Sequence, residues 1–162
     1  MSEFEVERRR IKEVILDISR ILNRLNIRLE PTLAEDFSAK SEPPLDVCVS
    51  KVRECDIFIC LIGKRYGSVV KNNLSPTHVE YRTAYDEWVK SGKEKPEILI
   101  YVLDIDEKRD VRERAVEDFI NEVSSRHYYR GFKDSEELAS KVKDDLINVI
   151  FEKHIGVKKS SN

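Results

Sequence analysis

Two continuous apolar runs joined by a helical pattern constrain this chain more than any other feature of its sequence. They predict strands over Asp56–Ile62 and Glu97–Leu103, each bounded by Gly, Pro or Asp. Continuous apolar runs of this length are typical of strands that are covered on both faces of a parallel sheet. The sequence therefore predicts a βαβ unit, and open α/β folds place their ligands beyond the carboxyl ends of such strands.

The rest of the chain extends this pattern on both sides. Apolar residues at spacings of three and four predict helices over 4–26, 45–54, 75–91, around 116–123 and from Asp134 onward. The half-polar segments Ile27–Leu33 and His127–Phe132 favour edge strands. Residues 34–44 contain two prolines and predict a loop. The predicted order alternates helices and strands, but it begins with a helix where a doubly wound sheet begins with a strand.

Length and charge narrow the class of protein. With 162 residues we expect a single domain over residues 1–155, followed by a flexible tail over residues 156–162. The 29 Lys and Arg residues nearly balance the 31 Asp and Glu residues, for a net charge of −2. Such a balance provides no overall field for nucleic acid or an anionic membrane, so neither is expected as a partner.

Cysteine usage and the amino terminus indicate the compartment. The three cysteines, Cys48, Cys55 and Cys60, are odd in number and lack the spacing of zinc ligands. We expect free thiols, no metal site and a reducing cytoplasm. The charged amino terminus does not resemble a signal peptide, and no apolar run approaches the length of a membrane span.

The loop after the first predicted strand carries the candidate ligand-binding residues. Gly63 and Gly67 bracket Arg65 and Tyr66, and the loop continues through two asparagines. Ser75-Pro76 then predicts a helix start, with Ser as the N-cap and Pro at the first helical position. An acid in the first turns of this helix would lie on the side of the sheet where ligands bind.

Several motifs in one order carry a resemblance to a known family. They are Ser2-Glu3-Phe4 with Glu7-Arg8-Arg9, Cys55-Asp56-Ile57-Phe58-Ile59, Gly63-x-Arg65-Tyr66-Gly67, Leu74-Ser75-Pro76-Thr77-His78-Val79-Glu80-Tyr81, and Lys95-Pro96 before a hydrophobic strand. With these motifs the first two-thirds of the chain resembles the family called domain of unknown function 4062, which is related in plan to Toll/interleukin-1 receptor (TIR) domains and to nucleoside deoxyribosyltransferases. The resemblance implies a flavodoxin-like (TIR-like) three-layer sandwich with a mostly parallel sheet of about four strands, lacking the usual first strand.

The resemblance also implies a chemistry. Glu80 matches the carboxylate that acts at the anomeric carbon of a ribose in TIR-type NAD hydrolases and in the deoxyribosyltransferases. A carboxylate suits cleavage of an N-glycosidic bond, because the reaction develops oxocarbenium character that an anion stabilises or attacks. The expected ligand is an NAD-like nucleotide or nucleoside, with no cofactor. The expected substrate-binding residues are Arg65 for phosphate, Tyr66 and Tyr81 for stacking on a base, Ser75 for the free amides that follow it, and His78 for a hydroxyl or for tuning Glu80.

Each of these residues also has a structural explanation. The negative charge of Glu80 can interact favourably with the helix dipole, and Glu80 can also pair with Arg82 or Lys64. The tyrosines can be packing residues, Arg65 a surface ion pair and His78 a polar contact at the helix start. An enzyme and a nucleotide sensor without turnover would both need a pocket at Glu80.

The sequence is also compatible with a function that involves neither catalysis nor nucleotide sensing. TIR-like domains also act as non-catalytic adaptors that assemble through their surfaces, and a near-zero net charge fits self-association. The missing first strand leads to the hypothesis that Met1 is an internal methionine and that the natural chain begins upstream. The absence of that strand would also leave an open sheet edge beside Ile57–Ile62, so we expect homo-oligomers.

Overall fold

The computed structural model describes residues 3–33 and 45–155. Met1, the predicted loop over residues 34–44 and the predicted tail over residues 156–162 lie outside them. Within the described ranges the helices are α1 (Glu5–Leu22), α2 (Leu45–Glu54), α3 (Pro76–Lys90), α4 (Arg114–Ser124) and α5 (Ser135–Ile150). The strands are β1 (Ile57–Ile62), β2 (Glu97–Leu103) and β3 (Arg130–Phe132). None of the helices in these ranges is long and apolar enough to cross a membrane.

Contacts between Cα atoms divide the chain into two compact units. One unit contains Met1–Pro31 and Lys133–Asn162, and the other contains Thr32–Phe132. Helices α1 and α5 belong to the first unit, whereas the sheet and the other three helices belong to the second. The expectation of one domain over residues 1–155 stays a prediction.

The sheet of the second unit is parallel, as the apolar runs predicted. In the described part of the chain it has three strands in the order β1-β2-β3. Ile57 pairs with Glu97 at one end of β1 and Ile62 with Val102 at the other, while Tyr101 of β2 pairs with Arg130. The fold is therefore the α/β, flavodoxin-like arrangement that we expected, with three described strands instead of about four.

One face of this sheet carries the hydrophobic core of the second unit. Alternate residues of a strand point to the same face, so Phe58, Cys60 and Ile62 share a side of β1 and are buried there. The neighbouring positions of β2 and the apolar faces of α2, α3 and α4 complete the cluster, through Val52, Tyr81, Ala84, Ile100, Val102, Val116, Phe119, Ile120 and Val123. Removing these apolar surfaces from water is the main force that holds the three helices against the sheet.

In the first unit, α1 and α5 pack against each other. Buried residues recur at three and four in both helices, from Ile11 to Leu22 and from Leu138 to Ile150. Arg10 of α1 forms a forked ion pair with Glu136 of α5, with Nε 2.8 Å from Oε1 and Nη2 3.3 Å from Oε2. The helical periodicity in the sequence predicted both helices correctly.

The predicted edge strand over Ile27–Leu33 is wrong. Asn26 ends the helical turn after α1 in the left-handed conformation, with φ of 59°. The amide of Ile27 then donates to the carbonyl of Leu22 at 3.1 Å, and the amide of Leu29 donates to the Ser19 hydroxyl at 3.4 Å. These two amides are directed toward α1 and Pro31 has none, so three alternate positions of the segment donate nothing to a strand ladder.

The second predicted edge strand, over His127–Phe132, is shorter than expected. The amide of His127 donates to the carbonyl of Val123 at 2.8 Å, which continues the end of α4. Only Arg130–Phe132 pairs with β2. The mixed polarity of this segment did not reveal that its first residue, His127, bonds back to the end of α4.

Candidate functional site

The loops that follow β1 and β2 are tied together at the carboxyl edge of the sheet. The ammonium of Lys64 lies 2.5 Å from the Asp110 carboxylate. The carbonyl of Lys64 accepts from the amide of Glu113 at 3.1 Å, and the amide of Tyr66 donates to the Glu113 carboxylate at 2.9 Å. These contacts fix the Gly63–Gly67 segment, which the sequence identified as the ligand-side loop.

The distal part of this loop forms a tight hairpin. The amide of Leu74 donates to the carbonyl of Lys71, and the amide of Val70 donates to the carbonyl of Leu74, both at 2.9 Å. Asn72 and Asn73 occupy the left-handed region, with φ of 51° and 60°. Asparagine tolerates this region better than most residues, so the pair specifies the turn that leads the chain into α3.

Helix α3 begins where the Ser-Pro pair predicted. Ser75 is the N-cap, and its hydroxyl accepts from the amide of His78 at 3.3 Å. Pro76 occupies the first helical position, where the missing N–H costs nothing. The cap places His78 and Glu80 in the opening turns of α3.

His78 lies at the centre of a hydrogen-bonded chain. Its Nδ1 is 2.6 Å from the Tyr66 hydroxyl, and its Nε2 is 3.0 Å from the Glu122 carboxylate of α4. The imidazole is buried and stacks on Phe119, with ring centroids 4.1 Å apart and planes 7° apart. Tyr66 and His78, which the sequence nominated for separate ligand contacts, therefore bind each other.

Two arginines hold the other end of this chain. The guanidinium of Arg82 donates two hydrogen bonds to the Glu122 carboxylate, at 2.7 Å and 3.3 Å. The guanidinium of Arg126 lies 3.9 Å from the same carboxylate. Burial acts to raise the pKa of Glu122, but the hydrogen bonds from Arg82 and His78 outweigh it and hold the pKa below its ordinary value. Burial lowers the pKa of His78 despite the opposing effect of Glu122, and Arg82 and Arg126 lower it further. At pH 7 the site therefore contains a neutral imidazole beside an ionised carboxylate.

Glu80 lies on a different side of α3 from His78. Residues two apart on a helix differ by about 200° around its axis. The carboxylate of Glu80 adds to the effect of burial in raising the pKa of Cys48 in α2 and of Cys60 in β1, so it lies near both thiols. Glu80 is partly buried and faces the region of α2 and β1.

The remaining predicted binding residues, Arg65 and Tyr81, differ in their exposure to solvent. Arg65 is exposed. Tyr81 is fully buried, and its hydroxyl lies 3.0 Å from Nε2 of His127. Its ring faces those of Tyr85 and Phe119, with centroids 6.3 Å and 5.6 Å away. This placement does not fit stacking on a ligand base; it fits the packing alternative.

Sequence reasoning missed Glu122 altogether. It lies three residues after Phe119 and one before Val123, beside the apolar face of α4. A carboxylate beside an apolar face is ordinary in an amphipathic helix, so it gave no signal, and its partner is 44 positions away in the chain. Only the folded structure identifies that partner as His78.

Comparisons with known proteins place the chain in a family. No curated protein and no solved structure gives a significant match. Residues 1–147 match the family described as "Domain of unknown function (DUF4062)". The match extends beyond Leu103, where the motifs in the sequence ended, and it covers most of the 162 residues. The chain is therefore a member of the DUF4062 family.

Proposed function

We propose that this chain binds an NAD-like nucleotide or nucleoside at the carboxyl edge of its sheet and cleaves the N-glycosidic bond. The position of Glu80 is the observation that carries the proposal. It combines a carboxylate in the opening turns of α3, partial burial, and proximity to Cys60 in β1. Open α/β sheets bind their ligands at this edge.

The chemistry follows from this position. Departure of the base leaves positive charge on the sugar, which a nearby carboxylate stabilises or attacks. A partly buried carboxylate acts more strongly than one in water, because the surrounding dielectric is lower. Glu80 is therefore assigned to the anomeric carbon of the ribose.

The loop after β1 supplies the proposed phosphate contact. Arg65 is exposed beside Tyr66, whose amide and side chain are both anchored. A guanidinium on an anchored loop can form two hydrogen bonds with a phosphate at a small cost in entropy. We therefore assign Arg65 to a phosphate of the ligand and Tyr66 to the wall of the site.

Glu80→Gln tests the assignment. The wild type is incubated with NAD and with a panel of nucleosides, and free base is measured by chromatography. We expect release of base by the wild type and a loss of at least about 100-fold in the variant, because the amide cannot stabilise the cation. Binding of the ligand, measured by calorimetry, should survive in the variant because Gln has the same shape.

Glu87→Gln is the matched control. Glu87 lies on the same helix, two turns further on, and pairs with Lys90 at 3.7 Å. The same chemical change there should leave the release of base unaltered. Equal turnover by Glu80→Gln and the wild type would contradict the role of Glu80, and absence of both turnover and binding would contradict the proposal.

A second candidate function is assembly without catalysis. β1 lies at the end of the strand order in the described residues, and all six of its residues are apolar. Natural edge strands are commonly shielded by charge, proline or bulges, and β1 contains no charge or proline. Sedimentation velocity from low to high micromolar concentrations tests this: a rising sedimentation coefficient supports assembly, and a constant one contradicts it.

A further inference from the structure

Glu122, His78 and Tyr66 form a continuous hydrogen-bonded chain within the second unit. Its members come from α4, from α3 and from the loop after β1, and its two bonds measure 3.0 Å and 2.6 Å. Glu122 and His78 are largely buried, with side chains 18% and 7% exposed. Tyr66 and Glu122 are both partly exposed, so the buried imidazole connects two groups that reach the surface.

The partners fix where the protons lie. The Glu122 carboxylate is ionised and can only accept, so Nε2 of the neutral imidazole carries its proton. Nδ1 is then a bare acceptor, and the Tyr66 hydroxyl donates to it. The hydroxyl oxygen keeps lone pairs that can accept a hydrogen bond from outside.

The geometry of the chain is held at every member. Phe119 supports the flat face of the imidazole, and the Ser75 cap fixes the His78 backbone. The Tyr66 backbone is bound to Glu113, and Glu122 is bound to Arg82. Such prior alignment removes much of the entropic cost of a proton transfer.

We propose that Glu122, His78 and Tyr66 form a proton-transfer chain whose working group is the Tyr66 hydroxyl, a general base toward a water or a ligand hydroxyl. In the forward step the O–H bond of the ligand breaks and a new O–H bond forms on Tyr66. The original Tyr66 proton passes to Nδ1 of His78, and the imidazolium that results is stabilised by Glu122. The inference goes beyond the assignment of Glu80 and does not depend on it.

The reactivity of the phenol tests this without any substrate. N-acetylimidazole acetylates tyrosine: the phenol oxygen attacks the acetyl carbon, the phenol proton leaves through His78, and imidazole departs with a proton. Peptide mapping by mass spectrometry gives the rate at each tyrosine. Tyr128 is the internal reference, because it is completely exposed at 101% of its reference area and lies outside the Glu122–His78–Tyr66 chain.

We expect Tyr66 to react about tenfold faster than Tyr128 despite its lower exposure, because a positioned base commonly adds at least that factor. Glu122→Gln keeps an acceptor for the Nε2 proton but removes the charge that stabilises the imidazolium. It should bring the rate at Tyr66 down to that at Tyr128. The control Asp118→Asn, on an exposed position of α4, should change neither rate.

The pH profile of the wild type gives a second readout that needs no variant. The groups facing His78 are Tyr66, Glu122, Arg82 and Arg126, and their combined effect with burial keeps its pKa below the ordinary 6.5. The rate advantage of Tyr66 should disappear as pH falls through that lowered pKa, while the rate at Tyr128 shows no such inflection. A Tyr66 that reacts no faster than Tyr128, or an advantage with no inflection below pH 6.5, would overturn the proposal.

Discussion

Gly131 in β3 shows how one missing side chain shapes the carboxyl edge of the sheet. A Cβ at this position would lie 3.2 Å from Cγ of Asp104, and its closest contact, with Oδ1 of the same carboxylate, would be shorter still. Asp104 follows β2 directly, and its amide donates to the carbonyl of Phe132 at 2.8 Å. Glycine here leaves room for the Asp104 carboxylate, whereas Gly67 has a φ of 87° that residues with a side chain rarely adopt.

Gly131→Ala should lower the free energy of unfolding by about 1 kcal/mol, because the methyl group forces the Asp104 carboxylate to move. Asp104→Ala should relieve most of that loss in the double variant, as measured by urea denaturation of all members of a double-mutant cycle. Gly67→Ala is the contrasting control, since its backbone strain has no side chain to relieve it. Strict additivity of the two changes would contradict the steric explanation.

Helix α3 is the element that brings the proposed functions together. It begins at the Ser75 cap, carries His78 and Glu80 in its opening turns, and ends before Gly92, which has φ of 73°. The opening turns present His78 to α4 and Glu80 to the region of α2 and β1. Loss of the cap should therefore loosen both candidate sites together.

Ser75→Ala removes the cap and should cost about 1 kcal/mol of stability, because the His78 amide loses its acceptor. Hydrogen exchange at that amide should accelerate more than at the end of α3. Ser68→Ala, at an exposed position in the preceding loop, should have no effect on either measurement. Unchanged exchange at His78 in the Ser75 variant would show that the hydroxyl is not the effective cap.

The stability of the whole molecule should depend on pH through two of its histidines, His78 and His127. Burial lowers the pKa of both His78 and His127, and Arg126 contributes to each shift. A histidine with a depressed pKa in the folded state binds fewer protons than in the unfolded state, so stability rises with pH in that window. The effect is complete above the unfolded value of 6.5 and is lost as pH falls through the folded values.

We expect the free energy of unfolding to fall as pH decreases from about 8 to about 5, with His127→Gln reducing the slope. Carboxylates with lowered pKa, among them Glu122 and Asp110, add a separate loss at lower pH. Chemical denaturation across this range measures the slope, and titration of the histidine ring protons by NMR assigns it. A flat profile above pH 5, or pKa values of His78 and His127 above 6.5, would contradict the burial argument.

The sequence predicted the elements whose cause is local. Continuous apolar runs indicated β1 and β2, periodicities of three and four indicated the helices, and the Ser75-Pro76 pair indicated the start of α3. These signals depend on neighbours within a few residues, so a single chain displays them directly. The same logic failed at Ile27–Leu33, where hydrogen bonds back to α1 replaced a strand.

The partners within the candidate site depend on positions far apart in the chain. The sequence nominated Tyr66 and His78 by type and place. Their bond forms where the loop after β1 meets α3, and the contact of His78 with Glu122, 44 residues away, forms where α3 packs on α4. Packing also buried Tyr81, whereas Glu80 lies away from His78 because residues two apart on one helix differ by about 200° around its axis. Local spacing therefore specified which groups lie near the carboxyl edge, whereas the packed helices determined which of them touch, because side-chain contacts depend on how elements meet.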